Sequence, residues 1–303
     1  MIVAVIGGAN MDVKAKAFAP LVAAVSNPGQ LELRPGGVAR NIAENLARLN
    51  VPVALLSRIG RDALGDAVFA ATAKAGVEMA YTSRSHAATG SYLAVLDHQG
   101  ELSVAVSAMA IINELTPAVL SEHAALLRQA AFVIADCNLP AITLRWLKTL
   151  TGRLIIEPVS VAKSAKLREI GFDGLYAITP NRIQAETLTG AVIRTPSDAM
   201  AAAARLEAQG VRHAVISLGA EGAATSSAHV PAVPSPAVAD VTGAGDAATA
   251  GLILGFIEGR EIAASMALGQ AAAHLTVLSA ETVSPQLSRQ ALYSLMAYPM
   301  VDP

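Results

Sequence analysis

Apolar positions along this chain fall into two alternating rhythms. Ile2 to Ile6 is a continuous apolar run ending at Gly7-Gly8, the pattern of a strand buried on both faces of a mostly parallel sheet. From Asn41, residues Ile42, Leu46 and Leu49 recur at helical spacing with Glu44, Asn45 and Arg48 between them. The alternation continues with a strand over Val53 to Ile59 and a helix from Leu64 to Ala75, stopped by Gly76. Phe132 to Ala135 then reads as strand, Ala141 to Leu150 as helix, and Leu154 to Ile156 and Leu175 to Ile178 as strands. Strands alternating with helices predict an α/β fold, a Rossmann-like and mostly parallel sheet with helices on both faces.

Two segments break that rhythm. Ser91 to Leu96 and Leu102 to Val106, joined by the turn-like Asp97-His98-Gln99-Gly100, have the form of an antiparallel hairpin. Val13 to Pro35 is too long for an ordinary connection. Segments of about 13–35 and 88–108 are therefore expected to form a small β-rich lid on a single domain spanning 1–303. The last third changes again, with helices predicted over Ala244 to Glu258, Ile262 to Val277 and Pro285 to Met296.

Composition narrows the function classes. The 303 residues are 53% hydrophobic, enough to bury a large core. A net charge of -2, from 22 basic and 24 acidic residues, argues against nucleic acid or an anionic membrane surface as partner. The lone cysteine, Cys137, leaves no intramolecular disulfide and fits a reducing cytoplasm. Met1 leads straight into the apolar run with no basic segment, which does not read as a signal peptide. The apolar stretch Ala247 to Ile257 falls far short of the roughly 20 residues a membrane span needs.

Candidate chemistry concentrates in Asp240-Val241-Thr242-Gly243-Ala244-Gly245-Asp246, which opens a predicted helix. Glycines there let backbone N–H groups cradle an anion, and the helix dipole adds positive potential. Asp246 in the first turn could accept the proton of an attacking alcohol while the amides of Gly243, Ala244 and Gly245 stabilise a phosphoryl group. The same segment could equally be a tight turn with a carboxylate at a helix terminus. Gly36-Gly37 through Asn41 opens an earlier helix, and Asn10 and Asp12 follow the first strand. Each can offer polar groups at the carboxyl-end crevice of the sheet, where amides and a carboxylate suit a polyhydroxylated substrate.

Competing chemistries lack their marks. No glycine-rich loop ends in Gly-Lys-Ser/Thr, and no Gly-x-Gly-x-x-Gly follows the first strand. The six histidines are scattered without zinc-ligand spacing.

In this combination the chain resembles the ribokinase-like carbohydrate kinases, the PfkB family. The likeness runs over nearly the whole chain, through Gly36-Gly37 to Asn41 with Gly60 and Gly65, and through Asp240 to Asp246. Thr179-Pro180-Asn181 resembles the segment approaching the nucleotide phosphates, and Ser217-Leu218-Gly219-Ala220-Glu221-Gly222 resembles the nucleotide-binding loop. The resemblance implies phosphoryl transfer from Mg-ATP to a sugar or nucleoside and a lid over the sugar, often used for homodimerisation. It implies Asn181, Ser217, Gly219, Gly222 and Thr242 at the nucleotide. A monovalent cation, potassium, is frequent near Asp240.

A narrower likeness is to the pseudouridine kinases of that family. Ser26-Asn27-Pro28-Gly29, Ala135-Asp136-Cys137-Asn138, Glu157-Pro158-Val159-Ser160, and Asn181-Arg182 with Ala185-Glu186-Thr187-Leu188 carry it. Asn27, Asn138 and Lys163 or Lys166 then become candidates for the base, with solvated helix positions the alternative for both lysines. Departures are equally definite. Gln184 stands where the family's Asn-x-x-Glu has a carboxylate that helps organise magnesium, and an amide keeps hydrogen bonding without the charge. Glu157 replaces an Asp before Pro-Val-Ser, and Ala108 a polar residue before the lid methionine. A kinase for another ribosyl or hexose substrate, or a binding protein that has lost turnover, remain the alternatives.

Overall fold

The computed structural model describes residues 1–235 and 237–297. Its main sheet has six strands, all parallel, in the spatial order His213–Ala214, Ala177–Ile178, Leu154–Glu157, Val133–Asp136, Val3–Ile6, Val53–Leu56. Alternate residues of each strand enter different cores. Val3, Val5, Ile134 and Ile155 pack with the helices Val38–Arg48 and Ala244–Ile257, while Ala4, Ile6, Val133 and Ile156 pack with the helices Ala141–Leu150 and Val161–Ile170. Apolar side chains thus leave water on both sheet faces, which is why these strands read as unbroken apolar runs. Among the described residues, no helix is long and apolar enough to cross a membrane.

Four strands form the smaller sheet, in the order Gly29–Gly36, Asn10–Ala17, Ser91–Leu96, Leu102–Ala108. Its outer pairings are antiparallel and the central one is parallel. Register gives it two unlike faces. Asp12 stands opposite Arg34 and Tyr92, and Tyr92 opposite Ser107, so one face is largely polar. Val13 stands opposite Leu33 and Leu93, and Leu93 opposite Val106, so the other face is apolar, with Leu31, Leu33, Val104 and Val106 exposed.

Three boundaries differ from expectation. The run Val53 to Ile59 is two strands, Val53–Leu56 and Arg58–Gly60, because the buried Ser57 turns its hydroxyl to the Gly7 carbonyl at 2.6 Å. The last helix begins at Arg289 rather than Pro285, since Ser284 closes a turn onto Leu287 and Ser288 caps the Ala291 amide. The strand expected from Leu175 pairs only over Ala177–Ile178, after a turn at Phe172–Leu175. The expected hairpin pairs Ser91–Leu96 with Leu102–Ala108.

Candidate active site

A cavity of about 590 Å³ opens where the carboxyl ends of the parallel strands meet the polar face of the small sheet. That is the crevice where open α/β sheets bind ligands. Its floor is the start of the helix Ala244–Ile257. Gly243 precedes that helix at φ 81°, and a Cβ there would lie 2.0 Å from the Thr282 carbonyl oxygen, so only glycine fits. No side chain caps the helix, which leaves first-turn amides for a bound anion. Beside Gly245 a Cβ would meet nothing within 4 Å, and the open space is that of the cavity itself. Asp240 shapes the approach by accepting from the Thr242 amide at 2.8 Å and its hydroxyl at 2.7 Å.

Asp246 lines the cavity and accepts from the Asn41 amide nitrogen at 2.8 Å. Its edge touches the cavity, but protein encloses it on the other sides. Burial therefore holds its carboxyl well above the usual range; the Asn41 hydrogen bond opposes this, nearby Glu157 and Asp136 add to it, and Arg40 opposes it. A carboxylate with raised proton affinity beside free helix amides suits removal of an alcohol proton as charge builds on a transferred anion. Glu157, accepting from the Thr179 hydroxyl and the Val159 amide, is pushed to about 7, chiefly by burial.

The opposite end of the cavity is a polar pocket. Asn10 donates to Asp12 at 2.7 Å, and both line the wall with Tyr92, Ser107 and Met109. Asn138 is fixed from two sides. Its backbone amide donates to Asp136 at 2.9 Å, and its side-chain oxygen accepts from the Lys163 ammonium. Asp136 is fully buried and also receives the Gly8 amide at 2.8 Å; burial raises its carboxyl above the usual range. Val159 enters the cavity wall at φ 67°, with the Ser160 amide bonded to the Pro158 carbonyl at 2.8 Å. That turn strains a β-branched residue, and such strain concentrates at ligand sites.

Of the residues singled out from the sequence, Asn10, Asp12, Gly37, Asn41, Asn138, Asn181, Gln184, Ser217, Thr242, Gly243, Gly245 and Asp246 line this cavity. Others do not. Asn27 is exposed on the loop between two small-sheet strands and spends its side chain on Val22 and Val25. Lys166 is turned to the carbonyls of Cys137, Asn138 and Leu139, so of the two lysines it is Lys163 that faces the cavity. Gly36 packs against the Asp12 carboxylate. Gly219 and Gly222 shape the turn between short strands that presents Ser217, and Ala244 is the first residue of the helix but is not part of the cavity lining. Asp240 stands at the rim, 3.5 Å from the Lys14 ammonium.

Gln184 is buried in a reciprocal cap: it accepts from the Asn181 amide at 2.8 Å, and Asn181 accepts from the Gln184 amide at 2.9 Å. Its oxygen is thus already engaged. Sequence reasoning left Tyr92, Ser107, Thr249 and Gln270 off the site. The hairpin held a usable signal for two of them, because period-2 alternation with Tyr92 opposite Ser107 puts both on the Asp12 face.

Comparison with known proteins shows likenesses over nearly the whole chain. The description "pfkB family carbohydrate kinase" matches residues 2–289. Pseudouridine kinase of Escherichia coli is 34% identical over 97% of this chain and 96% of its own length. The sugar kinase YeiI of the same organism is 33% identical over 98% of this chain and 83% of its own. A carbohydrate kinase from Agrobacterium tumefaciens superposes with a TM-score of 0.84 at 29% identity, covering 97% of this chain and 96% of that one. Arabidopsis thaliana ribokinase, solved with ribose and ATP, shares the fold at TM-score 0.86 and 21% identity, over 98% and 99% of the two chains.

Proposed function

The chain belongs to the pfkB family of carbohydrate kinases, and from that premise we propose that it moves the γ-phosphoryl group of ATP to the ribose 5′-hydroxyl of pseudouridine. The observation that carries the chemistry is Asp246, an enclosed carboxylate in the first turn of an uncapped helix, facing a polyol-sized polar pocket. Asp246 takes the acceptor proton, the amides about Gly243 to Gly245 bind the transferred phosphoryl oxygens, and Asn10, Asp12 and Asn41 hold the sugar hydroxyls. Asn138 and Lys163 read the base.

ATP fits the residues present, because the space beside Gly245 would be filled by any side chain and the adjoining wall carries Asn181, Ser217 and Thr242. Among the described residues no cluster of acidic, histidine or cysteine side chains forms a metal cage. Magnesium held mainly by phosphates and water needs none, and would neutralise phosphate charge when bound. The oxygens of Asp240 and Thr242 are candidates for a potassium ion. The small sheet acts as lid, and its exposed apolar face, with Leu31, Leu33, Val104 and Val106, supports a homodimer formed through it.

An ATP-consumption screen over pseudouridine, uridine, ribose, adenosine and fructose tests the reading. Preferred turnover of pseudouridine is expected. Turnover of another acceptor alone would move the substrate and keep the kinase. No turnover with any acceptor would favour a binding protein, the reading to which the neutral Gln184 lends support.

A further inference from the structure

Arg40 is 5% exposed, two residues into a helix whose buried face is otherwise mostly apolar or amide. Burying a guanidinium is expensive unless every donor is used and its charge is answered. Here each of its three nitrogens has a partner. Nε reaches the Thr72 hydroxyl at 3.3 Å, Nη2 pairs with Glu44, and Nη1 donates both to the Pro35 carbonyl and to the Asn41 side-chain oxygen, each at 3.0 Å. Asn41 in turn donates from its amide nitrogen to Asp246 at 2.8 Å. The charge therefore stands one side chain behind the carboxylate, tied to the last residues of a lid strand.

We propose that Arg40 is a positioning residue for phosphoryl transfer, holding the Asn41 oxygen so that the Asn41 amide nitrogen must face Asp246. The proposal rests on Asp246 being the base. A free carboxamide can present oxygen or nitrogen to its neighbour. Beside an ionised Asp246 the nitrogen is favoured anyway, but beside a protonated one the preference weakens, and Arg40 keeps the amide in the orientation that the ionised base needs. Its fork makes this possible, since one nitrogen serves two acceptors while the other holds Glu44.

The charge also acts on the base. Asp136 and Glu157 at the strand ends raise the proton affinity of Asp246, and Arg40 lowers it. On the lid strand, Asp12 faces Arg40 and Lys14 pairs with Asp240; the helix Ile262–Val277 offers Met266, Gly269 and Gln270 to the cavity, none of them charged. Arg40 is thus a cation that acts on this carboxylate through the Asn41 side chain. Removing it raises the folded-state pKa of Asp246, so the base ionises later as pH rises and the acidic limb of the rate profile moves to higher pH.

The test uses the full chain with Mg-ATP and pseudouridine, comparing the parent with Arg40→Lys and with the paired Arg40→Met/Glu44→Met, which removes the buried ion pair together. In the paired variant kcat falls about tenfold, KM stays within about twofold, and the acidic limb rises by about half to one unit. Arg40→Lys keeps the limb near its parental position. The Asp246 carboxyl resonance in 13C-aspartate-labelled protein, assigned with Asp246→Asn, gives the same shift without any substrate. A folded paired variant with parental kcat and an unmoved resonance overturns the proposal, as does loss of stability and rate together with no pH shift in either variant. If Asp246→Asn itself keeps turnover, the base assignment fails instead, and the two failures are distinguishable.

Discussion

The two ends of the cavity are built in different ways. The floor, which we propose faces a transferred anion, comes from one contiguous segment, Asp240 to Asp246, whose turn and helix start are local. The polar pocket opposite is assembled from strand ends, a helix and a hairpin far apart in the chain: Asn10, Asn138, Lys163, Tyr92 and Ser107. Local chemistry can be read from neighbouring residues. A pocket made by topology depends on which way each side chain turns, and that is decided by packing.

The comparison breaks most visibly at Asp246. If the contiguous end carries the chemistry, Asp246→Asn should lower kcat by about 10²–10⁴-fold while nucleoside affinity by calorimetry changes little. Because burial raises the proton affinity of this carboxyl, the acidic limb of the parental profile should lie above the ordinary carboxylate range. A helix-terminus carboxylate would behave otherwise, since asparagine caps nearly as well and the rate would barely move.

The assembled end is sharpened by two lysines three residues apart on one helix. Lys163 holds the Asn138 oxygen inside the cavity, whereas Lys166 braces the 137–139 backbone from outside. Pseudouridine offers a free N1–H that uridine lacks, and an unpaired polar partner costs about 1–3 kcal/mol, or roughly tenfold or more in kcat/KM. Lys163→Met should collapse that preference toward equality. Lys166→Met should lower the melting temperature and leave the ratio of the two nucleosides unchanged. The reverse pattern would assign base reading to the wrong lysine.

The same division explains what was legible. The βα alternation was readable because both faces of each main strand are buried, and residues such as Val3 to Ile6 had to be apolar throughout. The break at Ser57 was not, because it depends on a hydroxyl reaching Gly7, 50 residues away. Asn27 has the right chemistry for a ligand contact, but its loop consumes the amide locally, as asparagine side chains in turns commonly do. Nothing in the spacing of Lys163 and Lys166 says which one turns inward. Gln184 drew notice in the sequence only through a resemblance, whereas its role in the reciprocal cap with Asn181 needed coordinates.

That cap makes the smallest effect the most discriminating. A glutamate at 184 can keep both halves of the box, because its carboxylate accepts from the Asn181 amide as the Gln184 oxygen does and the Asn181 oxygen still receives the backbone amide of position 184. Gln184→Glu should therefore fold like the parent and differ only in charge at the cavity wall. A hard cation carried on phosphates gains from that charge, by about 0.5–1 kcal/mol for a partly solvated pair. The magnesium concentration giving half-maximal rate should fall about two- to fivefold, with kcat at saturating magnesium within about twofold. Titrating magnesium at fixed nucleotide for both proteins measures it. An unchanged curve would make residue 184 a helix cap alone, with no part in metal use.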